Sequence, residues 1–201
     1  MINNPDNSIY GPYLPELEQV RTRLMDEIER IRTDLSDRLG MDPVEHCLSR
    51  IKTEESMREK CRRKGLPETV DSALFRIHDA IGIRVVAAFV SDVYRIRDLL
   101  SQVNGLRITE EKDYIRHAKP NGYRSLHLIL LCDEKWYAEI QLRTISMDTW
   151  AALEHHMRYK KKISRNLPLI EAELKRCADE LASTDLSMQT IRDMILEEET
   201  I

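Results

Sequence analysis

Apolar residues recur at Leu17, Val20, Leu24, Ile28, Ile31, Leu35 and Leu39, in steps of three and four. That spacing predicts one long amphipathic helix with a single buried stripe, ended by Gly40 and Pro43. Ahead of it, residues 1–13 read as a loose tail. A short helix is expected to begin at Pro43, and another to cover about 54–64, closed by Gly65 and Pro67. A further short helix around 68–78 carries Val70, Leu74 and Ile77. The period then changes. Residues 81–89 are near-continuously apolar and partly β-branched, which predicts a strand buried on both faces. Ser91 is positioned to cap a helix bearing Val93, Ile96, Leu99, Leu100 and Val103, and Asn104-Gly105 closes it. A weaker strand follows at 106–115. Leu126–Leu131 and Trp136–Arg143 predict a hairpin across residues 132–135. Ser146–Tyr159 reads as a helix with Trp150, Leu153 and Met157 inward. A last helix starts near Pro168 and carries Ile170, Leu174, Cys177 and Leu181.

This order of elements predicts one mixed α/β domain, a β-sheet flanked by helices, with helical arms at both ends. Its 201 residues, 42% apolar and 33% charged, allow a sizeable core. No apolar run approaches the roughly 20 residues of a membrane span. The N-terminus shows neither the basic nor the apolar region of a signal peptide. Cys47, Cys61, Cys132 and Cys177 are far apart and form no Cys-x-x-Cys pair. That argues against a zinc site or a disulfide framework, and a reducing cytoplasm fits best.

The net charge of −4 hides local imbalance. Residues 50–64 hold seven Lys/Arg against three acids, and 157–165 hold five basics and no acid. Two basic clusters on a mildly acidic chain suit a small polyanion better than long nucleic acid.

Several residues are placed where a purely structural role is costly. Arg84 lies inside an apolar strand, and a buried guanidinium needs a partner. Either it pairs with Asp79, five residues earlier, or it grips a phosphate while Asp79 holds a cation. In Ala138–Arg143, alternation puts Glu139, Gln141 and Arg143 on one face and Ile140 and Leu142 on the other. That polar row is either a solvated face or a ligand site. Asp79 and Glu139, from different strands, form a donor pair of the kind Mg²⁺ takes together with substrate phosphates. Ser56, Lys60 and Arg63 share a helical face, with Arg50 and Lys52 just upstream. They make either a solvated basic surface or a cradle for a phosphate chain. Pro120-Asn121-Gly122 favours a tight turn that exposes Tyr123 for packing on the sheet edge or for stacking on a base. His127 faces the same side as Ile129. Two dipeptides carry little weight. His78-Asp79 matches metal phosphohydrolases in two letters only. The rings of His155 and His156 diverge by about 100° on a helix and cannot chelate one metal together.

Taken in order, Asp79-Ala-Ile-Gly-Ile-Arg84, Lys119-Pro-Asn-Gly-Tyr-Arg-Ser-Leu-His127, Glu139-Ile-Gln-Leu-Arg-Thr144 and Met147–His155 resemble the RelA/SpoT-type alarmone synthetase domain. The resemblance covers roughly residues 43–162. It implies a mixed sheet related to nucleotidyltransferases, with 1–42 as tail and N-terminal arm and 163–201 as C-terminal arm. The chain has no room for hydrolase or C-terminal regulatory domains, so it is expected to be a stand-alone small synthetase. The implied reaction moves the β,γ-pyrophosphate of ATP to the 3′-hydroxyl of GDP or GTP and releases AMP.

By residue match, Asp79 and Glu139 would hold Mg²⁺, and Glu139 would orient or deprotonate the hydroxyl. Arg50 and Arg84 would sandwich adenine, and Lys52, Lys60 and Arg63 would take the ATP phosphates. Tyr123 would stack on guanine, with Lys112 and His127 on the acceptor nucleotide. The resemblance also implies a homotetramer formed through the helical arms. It implies no membrane or DNA partner, and nothing in the sequence points to control by RNA. The competing class is a catalytically silent nucleotide or RNA binder on the same fold. A metal phosphohydrolase lacks its ligand set here.

Overall fold

The computed structural model describes residues 8–158 and 166–198. The basic stretch 157–165 therefore lies almost wholly outside the described residues. Helix α1 (Leu14–Leu39) buries Leu17, Leu24, Ile28, Ile31 and Leu35, the stripe that the spacing predicts. It ends at Gly40, whose left-handed backbone (φ +68) lets its N–H close on the Ser36 carbonyl. Five strands follow in the spatial order β1-β2-β5-β4-β3: β1 (Val44–Ile51), β2 (Ile81–Ala87), β3 (Leu106–Asp113), β4 (Leu126–Cys132) and β5 (Trp136–Thr144). The β2–β5 pair is parallel and the other pairs are antiparallel. Helix α2 (Glu54–Arg63) lies between β1 and β2. Helix α3 (Val90–Leu100) follows β2, and α4 (Ile145–Arg158) and α5 (Leu167–Glu198) follow the sheet. Helices α1 and α3 pack on one face of the sheet, where Ile81, Ile83, Ile140 and Leu142 are buried.

The structure differs from the sequence reading at several elements. The helix expected from Pro43 is strand β1. Cys47, Ser49 and Ile51 turn inward at every second residue, and β2 pairs with the strand from Val44↔Ala87 to Ile51↔Ile81. The start of the chain is not loose: Ile9 and Tyr10 belong to the core. The Tyr10 hydroxyl donates to the Lys52 carbonyl (2.6 Å), and Ser8 Oγ donates to Glu54 (2.7 Å), so this segment pins the β1–α2 junction. The helix expected at 68–78 is one π-helical turn, Ser72–Arg76. Strand β2 is closed on both faces only toward Val85–Ala87, because Gly82 and Arg84 are half-buried. Phe89, rather than Ser91, takes the cap position of α3.

The arms differ most. On α4, Trp150 is buried, but Leu153 and Met157 are exposed. On α5, Cys177 is exposed and Leu174 and Leu181 are half-buried. The buried positions are Ala178, Asp185 and Arg192, seven residues apart. That seam docks through polar partners. Thr144 donates to Asp185 (2.5 Å), Arg192 meets both oxygens of buried Asp92 (3.1 Å), and Ser91 N–H donates to Gln189 (2.9 Å). The aliphatic residues Leu186, Met188, Ile191, Met194 and Ile195 consequently face outward.

Candidate functional site

Strand register builds the site on the sheet face opposite α1 and α3. Paired residues share a face, and neighbouring strands lie about 4.8 Å apart. One cross-strand row runs Leu48, Arg84, Gln141, His127, Lys112, from β1 through β2, β5 and β4 to β3. The next runs Arg50, Gly82, Glu139. Gly82 has no side chain, which leaves space between Arg50 and Glu139. Above these rows lies an open cleft of about 680 Å³, walled on one side by α4. Arg50, Lys52, Asp79, Arg84, Tyr123 and Glu139 all line it.

Asp79 precedes β2, and the Lys52 N–H donates to the Ala80 carbonyl (2.8 Å), which sets Lys52 beside Asp79. Thr53 caps α2 by accepting from Ser56 N–H, and the helix buries Met57 and Cys61 so that Lys60 also reaches the carboxylate. Both ammonium groups donate to Asp79 Oδ2. Burial pushes the Lys52 ammonium down, against the upward pull of Asp79. The Arg84–Asp79 salt bridge considered from sequence does not form. Arg84 instead reaches Asp148 (3.3 Å), an acidic residue in the first turn of α4. Among the described residues, two buried side-chain polar atoms have no hydrogen-bond partner: Asp79 Oδ1 and Arg84 Nε. Both belong to residues that line the cleft. Unpaired buried polar atoms are costly, so their presence on two cleft residues makes the cleft the candidate ligand site.

Glu139 Oε1 lies 3.3 Å from His127 Nδ1, and its other oxygen accepts from Gln141 (2.9 Å). Burial pushes the Glu139 carboxyl up, but His127, then Gln141 and Lys60, outweigh it and hold it at about 2. A carboxyl held below its ordinary 4.5 stabilises the fold above that value and loses the contribution as pH falls toward about 2. In Mg²⁺-free buffer, wild type is expected to be more stable than Glu139→Gln at pH 6. The gap should close between pH 4.5 and 2 in urea titrations. A gap independent of pH would contradict the pairing.

Tyr123 is not freely presented. Its ring is half-buried, with Lys119 Nζ 4.7 Å from the ring centroid. Its hydroxyl contacts His127 Nε2 (2.8 Å) and accepts from Arg143 (2.7 Å). The turn before it is docked on α5. Gly122 has φ +92, and an added Cβ would fall 2.6 Å from the Ala178 Cβ and 3.1 Å from the Lys175 Cα. Arg124 pairs with Asp179 (2.9 Å), and the Trp150 indole donates to the Leu174 carbonyl (2.9 Å). Gly122→Ala is therefore expected to lower stability by about 1–3 kcal/mol. Unchanged urea unfolding would refute the docking of the turn.

Lys112 stands at the outer end of its row, paired with Glu110 (2.8 Å). Lys60, Lys112 and His127 lie outside the cleft lining, and so does Arg63, which is exposed at the end of α2. Sequence reasoning placed Arg143 only in the polar row with Glu139 and Gln141 and gave Asp148 no role; the contacts of both join the two sides of the cleft. A charged residue ending an apolar strand was the available signal for Arg143.

A family profile described as the region found in RelA / SpoT proteins matches residues 49–164, more than half of the chain. The chain belongs to the RelA/SpoT family. The two carboxylates, the Tyr123 turn and every cleft-lining residue but Leu48 lie inside the matched RelA/SpoT region. The GTP pyrophosphokinase YwaC of Bacillus subtilis is 45% identical over 148 residues, which are 70% of this chain and 70% of YwaC. The RelA/SpoT fold extends across both arms in solved structures. Small alarmone synthetase 1 from Bacillus subtilis bound to its product pppGpp superposes with a TM-score of 0.77 at 29% identity, covering 91% of this chain and 95% of that one. The same synthetase bound to AMPCPP gives 0.73 at 26% identity, covering 92% and 96%. The mixed five-stranded sheet with a long helix at each end is the arrangement that the resemblance implies.

Proposed function

We propose that this protein is a GTP pyrophosphokinase that makes the alarmone (p)ppGpp. The 3′-oxygen of GDP or GTP attacks the β-phosphorus of ATP. The bond between that phosphorus and the α,β-bridging oxygen breaks, and AMP leaves with the oxygen. The observation that carries this reading is the convergence of two buried-edge carboxylates with a cation-rich wall in one cleft. One of those carboxylate oxygens, Asp79 Oδ1, has no protein donor among the described residues. The names of the relatives point the same way: one is a GTP pyrophosphokinase, and one synthetase binds both pppGpp and AMPCPP.

Arg50 and Arg84 sit diagonally on one sheet face, spaced to flank an adenine. A purine between them would cover the Arg84 guanidinium, whose charge burial and Arg143 both disfavour. Lys52 and Lys60 take the ATP phosphates. Arg63, outside the cleft, carries no part of the argument. Tyr123, His127 and Lys112 hold the guanosine nucleotide. For the Tyr123 ring face to meet guanine, the Lys119 ammonium must move aside.

Asp79 Oδ1 and Glu139 are hard oxygen donors of the kind Mg²⁺ takes together with phosphates, so the residues fit that ion. Bound there, Mg²⁺ would neutralise charge on the transferring group. Glu139 orients the 3′-hydroxyl and accepts its hydrogen bond. Its low proton affinity makes it a positioner first and a weak base second.

Purified protein with ATP, GDP and Mg²⁺ is expected to yield AMP and a 3′-pyrophosphorylated guanosine nucleotide on anion exchange. No AMP with either GDP or GTP contradicts the reading and leaves a silent nucleotide binder. No helix among the described residues is long and apolar enough to cross a membrane. We place the enzyme in the cytoplasm with its nucleotide substrates.

The outward aliphatic face of α5 fits burial against further copies in a homotetramer. Light scattering is expected to give the mass of four chains, and a monomer at micromolar concentration would exclude the tetramer.

A further inference from the structure

Arg143 is the most deeply buried cation of the cleft, with 6% of its side chain exposed. Four acceptors surround its guanidinium: Tyr123 Oη (2.7 Å), Gln141 Oε1 (3.0 Å), Asp148 Oδ1 (3.0 Å) and Ser125 Oγ (3.5 Å). A planar fork of five N–H donors is the side chain that meets such a set. Two arms lead away from it. On one side, the Tyr123 hydroxyl accepts from Arg143 and so has its own proton free for His127 Nε2 (2.8 Å). The other nitrogen of His127 then faces Glu139 (3.3 Å). On the other side, Asp148 Oδ1 is shared between Arg143 and Arg84 (3.3 Å), and Asp148 Oδ2 lies 4.0 Å from His46 Nε2. One continuous chain therefore runs Glu139, His127, Tyr123, Arg143, Asp148, Arg84. Its ends are the residues assigned above to the attacking hydroxyl and to adenine.

We propose that Arg143 is a positioning residue that couples the two nucleotide subsites. It fixes the Tyr123 ring and, through His127, the Glu139 carboxylate. Through Asp148 it fixes the Arg84 guanidinium. Arg143 acts through these contacts and sets both half-sites to one geometry. The coupling rests on the pyrophosphokinase reading for its kinetic consequences and on the hydrogen-bond chain for its existence. Lysine at this position keeps the charge, but one ammonium has three donors at a single point and cannot span acceptors on both arms.

The test compares wild type, Arg143→Lys, Tyr123→Phe, the double variant, and Arg76→Met as an exposed control. Kinetics give kcat and both KM values, calorimetry gives Kd for AMPCPP and for GDP separately, and melting gives Tm. Arg143→Lys is expected to keep a cooperative melt and to lose about 100-fold in kcat, as a displaced constellation does. It should also weaken both AMPCPP and GDP. Tyr123→Phe keeps the ring and cuts one arm, so kcat should fall with little change in acceptor KM. The double variant should be no worse than Arg143→Lys alone, because both changes break one chain. Wild-type kinetics in Arg143→Lys, or fold-losses that multiply in the double variant, overturn the coupling while leaving the pyrophosphokinase reading intact. If wild type makes no AMP, that reading fails, and the calorimetric arm still decides the coupling. If Arg143→Lys does not fold, the comparison is made with Asp148→Asn in place of Arg143→Lys, with the same criteria.

Discussion

Replacing Glu139 with glutamine is expected to cut turnover by about 10³-fold or more while leaving a cooperative fold, with only the pH-dependent loss of stability that the lowered carboxyl implies. The substitution removes charge at constant shape. The amide keeps the side-chain volume, and its carbonyl oxygen still accepts from His127 Nδ1, which lies 3.3 Å from the carboxylate. What disappears is a negative charge that the cleft keeps ionised down to a pH of about 2. A neutral amide neither holds a divalent cation as well nor draws the proton of an attacking hydroxyl. Binding of GDP and of AMPCPP should change much less than kcat, because the residues proposed to hold the nucleotides, Arg50, Lys52, Lys60, Arg84 and Tyr123, are untouched. Loss of the cooperative fold together with activity would instead assign Glu139 a structural role.

The largest expected effect on stability is at Asp92. Asp92→Ala should destabilise the protein by about 3 kcal/mol, the low end for breaking a buried pair, because Asp193 still faces Arg192 (2.9 Å). Asp92 and Arg192 are 1% and 3% exposed in their side chains, and both carboxylate oxygens lie 3.1 Å from Arg192 Nη1. Arg192 also lies over the Phe89 ring, 4.3 Å from its centroid. Removing Asp92 takes away the buried carboxylate and leaves that cation with the half-exposed Asp193 (2.9 Å) and Ser91 Oγ (2.7 Å). Replacing Asp92 and Arg192 together by apolar residues of similar volume should restore most of the loss, since the pair itself contributes little net stability. Urea unfolding of the two variants measures this. A single variant as stable as wild type would show that α5 does not depend on this pair.

Much of the scaffold could be read from the sequence, because its signals are local. The α1 stripe, the Gly40 stop, the apolar β2 run and the β4–β5 hairpin each rest on residues within a few positions of one another. Strand β1 was hidden because it is an edge strand whose alternation is broken, with Leu48 outward and Ser49 inward. Its state is settled by pairing with β2, about 35 residues away in the chain. Helix α5 misled for a related reason. Its aliphatic residues look like a core stripe, yet the buried seam is Ala178, Asp185 and Arg192, whose partners Thr144 and Asp92 lie on other elements.

The candidate site divides in the same way. Arg84 and Glu139 stood out as charges in apolar strands, and the glycine turn before Tyr123 marked itself. The double lysine contact on Asp79 and the link from Arg143 through Asp148 to Arg84 join separate elements. No spacing in the chain encodes those links. The expected free presentation of Tyr123 failed because α5 packs against the turn from behind.

The central claim is that this cleft carries a pyrophosphoryl group intact from ATP to a guanosine 3′-oxygen. The most direct measurement gives the enzyme ATP labelled at the γ-phosphorus, together with GDP and Mg²⁺, and locates the label in the products by phosphorus NMR and mass spectrometry. The account predicts the label at the terminal phosphorus of a 3′-diphosphate on guanosine, with one AMP formed per labelled product. Label recovered as free orthophosphate or pyrophosphate, or a guanosine product labelled without AMP, would contradict it.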